Sequence, residues 1–354
     1  MPKMDETARA ARIDELQSRL TQLIEEVQAE TDIKKKQKAI AEIGRLNRKI
    51  DKIKSGRILS RETKRDLIAY SFIAPNFIGF CVFTLIPIIC AFGLAFLKWD
   101  GSNPVQWAGV KNFARLGQDI FFKAALKNTI IYCLGTVPLT MVASLALAIV
   151  LNQKVKGRGI FRTLAFFPYV ASLVAITAVW KMLFHPSKGP VNNILLNVFG
   201  VAQENLPQWF TGGLVLFSMI LFSVWKYMGY YMVIYLAGLQ GISSELYEAA
   251  SLDGAGTWNK FRYVTWPQLS STTFFVVVML TINCFKVYDI AIMLAGGGSG
   301  ELTTSSTVLV YYIYQKAFVD WDLGYSSAVA MVLFAMVLIV TIIQFRGQAR
   351  REKA

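Results

Sequence analysis

Histidine is nearly absent from this sequence and cysteine is sparse, which excludes several kinds of site. The chain of 354 residues contains one histidine, His185, and four cysteines, Cys81, Cys90, Cys133 and Cys284. Each cysteine lies inside an apolar run, and none has the paired spacing of a metal site or a disulfide framework. We therefore expect small buried thiols, no bound metal, and no histidine placed to activate a nucleophile.

A phosphate-binding loop is also missing. The pattern G-x-x-x-x-G-K-[ST], whose backbone cradles the phosphates of ATP, occurs nowhere in the sequence. The chain therefore cannot bind ATP through that motif, and we expect neither an enzyme activity nor a cofactor of its own. Energy from ATP would have to enter through another chain.

Charged residues are scarce, and most of them are basic. They make up 17% of the chain against 54% hydrophobic residues, which is the composition of a bilayer protein. The formal net charge of +14 is concentrated in residues 1–65 and in short loops between apolar runs. Because cytoplasmic loops of membrane proteins carry an excess of Lys and Arg, this pattern indicates membrane orientation, and we expect no nucleic-acid partner.

Residues 1–65 form a segment of their own. Apolar residues recur there at spacings of three and four, as in a coiled coil, and the pattern restarts after residues 30–32. Two amphipathic helices, able to fold back as a hairpin, are predicted, and no apolar stretch suggests a cleaved signal peptide. This cytoplasmic extension either contacts a partner or anionic lipid, which clustered lysines would favour, or is a solvated extension without a specific role. The two apolar series are Ile13, Leu16, Leu20, Leu23 and Val27, and then Ile40, Ile43, Leu46, Ile50 and Ile53.

Six apolar runs of bilayer length follow within residues 66–354. Basic loops place both termini in the cytoplasm, so the predicted fold is an all-α polytopic membrane protein with six transmembrane helices. Pro87 should kink or break the first of them. The runs cover about 67–97, 126–151, 163–184, 214–239, 267–295 and 325–345.

A polar segment, residues 243–266, separates the fourth and fifth runs and is called the coupling segment below. Serines followed by acidic residues and good helix formers predict a short helix from Glu245 to Asp253. Gly254 and Gly256 predict a sharp turn, and Thr257 is expected to cap a second short helix. The sequence thus predicts a helix, a turn and a helix at a membrane surface.

The coupling segment resembles the signature loop of permease subunits in binding-protein-dependent ABC importers. The pattern is E-A-A, three residues, Gly, nine residues, an aliphatic residue, one further residue and a hydrophobic-Pro pair. In that pair Trp266 stands in place of the usual Leu. The stretches DGSNPVQWAGVKNFARL, FFPYVASLVAITAVW and HPSKGPVNNILLNVFG resemble the sugar-importing branch. In that family the helix docks on a cytoplasmic ATPase, which implies this role for Glu248, Ala249, Ala250, Asp253 and Gly254.

The resemblance also implies a set of partners. These are a second homologous permease subunit forming a heterodimer, a cytoplasmic ABC ATPase dimer that binds the ATP, an extracytoplasmic substrate-binding protein, a sugar substrate, and membrane lipid. The expected location is the cytoplasmic (inner) membrane of a bacterium or archaeon.

Polar and aromatic side chains within the apolar runs mark a candidate substrate path. Ionisable residues at membrane depth are costly and should face a cavity or a partner. Lys286 and Asp289, three apart on a predicted helix, can pair. Aromatic faces and amides suit a sugar, although each aromatic could equally pack between helices, and Lys226 could equally bridge to the partner subunit. The residue types give Trp225, Lys226, Tyr230, Tyr231, Asn283, Lys286 and Asp289 as candidates. The resemblance implies Tyr169 as a further candidate, and it also points at the stretches 225–231 and 283–287.

Two other functions are open at this point. An importer of the same type for a glycerol-3-phosphate-like or other phosphorylated polyol would use Lys226 and Lys286 as anion ligands. An ion-coupled carrier would need a relay of membrane acids, and the spans supply essentially Asp289 alone. A purely structural membrane anchor would have no need of the coupling segment.

Overall fold

The computed structural model describes residues 6–29, 33–55, 61–153, 156–294 and 303–351. Of these residues, 80% are helical. Contacts divide the chain into two units, Met1–Ile88 and Ile89–Ala354. The helices are α1 (Glu6–Ala29), α2 (Ile33–Ser55), α3 (Arg61–Phe80), α4 (Ile86–Leu94), α5 (Lys111–Leu116), α6 (Ile120–Asn152), α7 (Arg158–Val170), α8 (Leu173–Leu183), α9 (Pro190–Asn197), α10 (Val215–Gln240), α11 (Ser244–Leu252), α12 (Thr257–Lys260), α13 (Trp266–Gln268), α14 (Ser270–Phe285), α15 (Asp289–Leu294), α16 (Leu309–Tyr314) and α17 (Leu323–Arg351).

In the first unit, α1 and α2 pack against each other. Arg19 of α1 and Glu42 of α2 form an exposed ion pair at 3.6 Å. Leu46 and Ile50, from the second apolar series, are buried. The two series thus lie on two separate helices that meet side by side.

The first apolar run continues as one helix from Arg65 to Leu94. Residues Cys81–Leu85 form a π-helical turn, and Pro87 follows in α4 without interrupting the helix. A π turn directly before proline accommodates the ring, which has no N–H to donate to the preceding turn. Pro87 is therefore absorbed by a local widening of the helix rather than by a break.

In the described part of the chain, four helices are long and apolar enough to cross a membrane, and up to six are if each of two bent pairs counts as one span. The third predicted span, 163–184, is a bent pair rather than one straight helix, because α7 and α8 meet at 98°. Ala171 and Ser172 between them have extended backbone, with ψ of 149° and 125°. The run is predominantly apolar on both sides of the bend, and composition alone did not reveal the break.

The fifth predicted span, 267–295, is also divided. Residues Thr257–Gln268 meet α14 at 66°, and α14 ends at Phe285, about ten residues early. Lys286 caps that end, and α15 begins at Asp289. The predicted helical spacing of Lys286 and Asp289 is therefore wrong, and no ion pair joins them in the part of the chain that the structure describes.

The centre of the second unit is the pair α6 and α10, which pack along their length. Two clusters of buried apolar side chains surround this pair, one shared with α8, α14 and α15 and one with α14. A third cluster, around Tyr312 and Tyr325, joins α16 and α17 to the start of α6. Cys133 and Cys284 are buried in the first cluster as expected, whereas Cys90 is exposed.

A small β-hairpin departs from the predicted all-α fold. Strand β1 (Leu97–Lys98) pairs antiparallel with β2 (Gln106–Trp107), with Leu97 opposite Trp107. Asp100 holds the connecting loop, because its carboxylate accepts hydrogen bonds from the backbone N–H groups of Ser102 and Asn103. These bonds lower the pKa of Asp100 to about 2.

Candidate functional site

The first half of the coupling segment is the helix α11. The hydroxyl of Ser243 accepts a hydrogen bond from the N–H of Glu245 at 3.3 Å, which caps the helix as the sequence indicates. Glu248 and Ala249 are exposed, and Leu252 at the end of the helix is 90% exposed. The helix therefore presents a solvent-facing surface that includes an apolar side chain.

Gly254 ends this helix in a left-handed conformation, with φ of +74°. The N–H of Ala255 donates to the backbone carbonyl of Ala250 at 2.9 Å. The N–H of Gly254 donates to the backbone carbonyl of Ser251 at 3.1 Å. This pair of bonds is the Schellman motif, which favours glycine at the left-handed position. The turn predicted at Gly254 thus follows from backbone chemistry that few other residues tolerate.

The second half runs through α12, a π-helical turn at Phe261–Thr265, and α13. Gly256 precedes α12 as its N-cap, so Thr257 is the first helical residue and the predicted Thr257 cap is wrong. Gly256 has an extended backbone, which leaves Thr257 inside the first turn.

Two side-chain contacts join the halves of the coupling segment. The hydroxyls of Tyr247 and Thr265 are 3.0 Å apart. Lys260 donates to the hydroxyl of Ser251 at 2.7 Å. Because both contacts bridge the glycine turn, they hold the two halves of the coupling segment together.

Five of the predicted path residues lie together where α7, α10 and α14 meet. The rings of Tyr169 and Tyr230 are stacked, with centroids 4.3 Å apart and an interplanar angle of 18°. Tyr230 in turn meets the edge of Tyr231 at 5.0 Å. The amide of Asn283 donates to the hydroxyl of Tyr231 at 3.1 Å. Tyr231 is buried while Asn283 is exposed, so the hydrogen bond joins the core to an open surface.

Lys226 is the fifth member and is buried. Its ammonium group donates to the backbone carbonyls of Pro168 and Tyr169 at 3.3 and 3.2 Å. These atoms belong to the last turn of α7, directly before the bend.

The other three predicted residues lie apart from this cluster. Trp225 is half-buried and packs against the first apolar cluster, with its ring 5.4 Å from that of Trp180 and 6.0 Å from that of Phe222. Lys286 and Asp289 are exposed on either side of the break between α14 and α15.

Gly229 was missed from the sequence although it shapes the cluster. A Cβ at this position would lie 1.8 Å from the carbonyl oxygen of Ala165, so α7 and α10 touch backbone to backbone here. The available signal was a single glycine in the bulky stretch WKYMGYYM. Tyr227, whose ring centroid is 6.2 Å from that of Tyr169, adjoins the same cluster.

Comparison with known proteins gives consistent results. Residues 140–352 match the family described as binding-protein-dependent transport system inner membrane component. The probable ABC transporter permease protein YesP of Bacillus subtilis is 36% identical over 81% of this chain and 92% of its own length. The lactose transport system permease protein LacF of Rhizobium radiobacter is 33% identical over 81% and 96%. The sn-glycerol-3-phosphate transport system permease protein UgpA of Agrobacterium fabrum is 30% identical over 80% and 96%.

A solved structure shares the fold. A chain of a bacterial ABC transporter involved in the import of the acidic polysaccharide alginate superposes with a TM-score of 0.71. It covers 82% of this chain and 98% of its own, at 24% identity. On the family match and the identity with its curated relatives, the chain belongs to the binding-protein-dependent transport system inner membrane components, the permeases of ABC transporters.

Proposed function

We propose that the chain is one transmembrane subunit of an ATP-driven importer for a neutral carbohydrate, an oligosaccharide. The observation that carries the ATP-driven part is the exposed helix α11, closed by the left-handed Gly254 and tied to the next helix. An exposed, internally bonded helix at a chain reversal suits docking onto a separate protein. Glu248, Ala249, Ala250 and Asp253 form its proposed contact surface with the ATPase dimer.

The carbohydrate part rests on the cluster around Tyr230. Stacked tyrosine rings offer flat apolar faces for the C–H surface of a sugar, while hydroxyl and amide groups can bind its hydroxyls. Tyr169 is 36% exposed, which leaves part of the stack open to a ligand. A relative named for lactose transport supports the same class of cargo.

The topology we propose has six spans, with both bent pairs crossing the membrane and both termini in the cytoplasm. The helices α1 and α2 then form a cytoplasmic hairpin beside the ATPase or the anionic inner leaflet, where exposed Lys35, Lys36 and Lys38 would favour lipid phosphates. A second, homologous permease subunit completes the substrate path, and a binding protein delivers the cargo on the outer side of the membrane.

The proposed mechanism uses the coupling segment as a lever. Closure of the ATPases on ATP moves α11, and the Tyr247–Thr265 and Lys260–Ser251 contacts carry that movement into the start of α14. Asn283, on the same helix, would then shift relative to Tyr231. The cargo cluster is thereby linked to the ATPase without a binding site for ATP in this chain.

The test is an ATPase assay on the purified complex in lipid with loaded binding protein. Lactose, maltose and trehalose are compared with glycerol 3-phosphate. Stimulation by a neutral sugar supports the proposal, whereas a chain that purifies without any ATPase would remove its central element.

The second candidate cargo is a phosphorylated polyol, which a relative named for sn-glycerol-3-phosphate favours. A phosphate would need free cations in the path. Lys226 already donates to two carbonyls, while Lys286 is exposed. Stimulation by glycerol 3-phosphate alone, lost in Lys286→Met, would replace the neutral sugar by this cargo.

A further inference from the structure

We propose that Lys226 and Gly229 form a seat for the end of the broken helix α7, and that Lys226 is a positioning residue for Tyr169 rather than a ligand of the cargo. The inference rests on the proposed function, because it concerns the same cluster. Lys226, the buried cation among the candidate path residues, then has a structural role within the protein.

The end of a helix leaves backbone carbonyls without a partner, and at membrane depth no bulk water replaces it. Helix α7 ends at Val170, where Ala171 and Ser172 turn away in extended conformation. The carbonyls of Pro168 and Tyr169 would bond to the next helical turn if α7 continued. The ammonium group of Lys226 donates to both, at 3.3 and 3.2 Å.

The surroundings of Lys226 suit this task. A cation is favoured at the carboxyl end of a helix, where the helix dipole is negative. The ammonium nitrogen also lies 5.6 Å from the ring centroid of Tyr169 and 5.9 Å from that of Tyr227, within cation–π range. Among the residues that the structure describes, no carboxylate forms an ion pair with Lys226. Its charge is therefore balanced by carbonyl dipoles and ring faces.

Gly229 completes the seat one turn along α10. Residues three apart lie on the same face of a helix, so Lys226 and Gly229 both face α7. At Gly229 the backbones touch, since a Cβ would lie 1.8 Å from the carbonyl oxygen of Ala165 and 2.9 Å from the nitrogen of Phe166. The backbone contact at Gly229 sets the distance between α7 and α10, and the hydrogen bonds from Lys226 bind the free end of α7.

The consequence of the seat is the position of Tyr169. This residue supplies one of the bound carbonyls, and its ring stacks on Tyr230 at 4.3 Å. Without the lysine, two carbonyls in the last turn of α7 would lose their donor, and this turn could fray or rotate. The stacked pair that we assign to the sugar ring would then lose its fixed geometry.

A double-mutant cycle between Lys226 and Tyr169 tests the inference. The variants Lys226→Met, Tyr169→Ala and the double variant are reconstituted with the ATPase and loaded binding protein. The measured quantity is neutral sugar transported per ATP hydrolysed. We expect each single variant to lose at least about tenfold, since hydrogen bonds from charged donors are among the stronger ones. If Lys226 acts through Tyr169, the double variant is no worse than Tyr169→Ala alone, within about twofold.

Two further variants separate positioning from a general structural role. Lys181→Met removes a cation from α8, the other half of the same broken helix, and its effect should be small and additive with Tyr169→Ala. Lys226→Arg keeps a charged donor and should restore most of the transport per ATP. If Lys226→Met fails to assemble, the cycle is run with Lys226→Gln, whose shorter neutral donor should give a smaller loss of the same non-additive kind.

The outcomes are distinct. Additive losses in the cycle would overturn the seat, as would a loss confined to glycerol 3-phosphate transport with neutral sugar unaffected. If the wild-type complex transports no neutral sugar at all, the proposed function fails before the cycle begins.

Discussion

Tyr325, near the start of α17, donates a 2.6 Å hydrogen bond to the carboxylate of Asp119 at the beginning of α6. Tyr312 donates to the same oxygen atom, Oδ2. The other oxygen accepts from the N–H groups of Phe121 and Phe122 at 2.9 and 3.1 Å and caps α6. One carboxylate thus joins the start of α6 to α16 and α17, whose tyrosines lie 193 and 206 residues further along the chain.

The first prediction concerns this carboxylate. Burial alone would raise the pKa of Asp119, but the hydrogen bonds from Tyr312, Tyr325 and the backbone lower it overall, below its usual 3.8. A lowered folded-state pKa contributes stability above the unfolded pKa, and the contribution is lost as pH falls through the folded pKa. We expect Asp119→Asn to cost about 1 kcal/mol at neutral pH and to flatten the loss of stability below about pH 4. Thermal unfolding in detergent at several pH values measures this.

Asp100→Asn is the matched control. Its carboxylate bonds only within its own exposed loop, to residues two and three positions away, and such local bonds can also form in the unfolded chain. Its unfolding temperature at neutral pH should stay close to that of the wild type. Equal effects of the two substitutions would contradict the special role of Asp119.

The second prediction concerns the backbone contact at Gly229. A methyl group there would have to displace the backbone of Ala165, which is not a flexible neighbour. We expect Gly229→Ala to destabilise the folded chain by about 1–3 kcal/mol, the usual cost of overpacking. Gly159→Ala on α7 is the control, because nothing lies within 4 Å of its Cβ position. The midpoint of thermal unfolding should be clearly lower for Gly229→Ala than for Gly159→Ala. Equal midpoints would show that α7 and α10 can move apart at little cost in free energy.

The coupling segment and the bend after Val170 differ in how far the sequence predicts them. The coupling segment was predictable because its signals are local: Ser243 caps the helix and Gly254 ends it through bonds within a few residues. The bend after Val170 was not, because the apolar run continues through it and Lys226, 57 residues away from Tyr169, bonds the freed carbonyl. The Lys286–Asp289 pairing failed for a related reason, since the i,i+3 rule holds only within an unbroken helix.

The third prediction concerns the hydrogen bond between Asn283 and Tyr231. It links α14 to α10 at 3.1 Å, and the Tyr231 side chain is buried. We expect Asn283→Leu to destabilise the chain by about 1–2 kcal/mol because it leaves a buried hydroxyl without this partner. Adding Tyr231→Phe should recover part of the loss, since both polar groups are then gone. Unfolding midpoints of the two single variants and the double variant form the measurement, and strictly additive losses would contradict the pairing.

The fourth prediction concerns Gly254 in the coupling segment. Open space surrounds this position, so a side chain would fit, but the φ of +74° is unfavourable for any residue with a Cβ and most of all for a β-branched one. We expect Gly254→Val to break the Schellman turn, to leave membrane insertion intact and to abolish coupled uptake. The measurement is uptake together with ATPase stimulation in proteoliposomes.

Gly256→Ala is the control for Gly254→Val in the same turn. Gly256 also has open space around its Cβ position, but its φ of −69° suits any residue. Uptake by Gly256→Ala should therefore match the wild type, and Gly254→Ala should fall between, because alanine tolerates the left-handed region at a cost of about 1 kcal/mol. Normal uptake by Gly254→Val would mean that the direction in which α11 leaves the turn is unimportant for coupling, and the coupling segment could then no longer be regarded as a rigid lever.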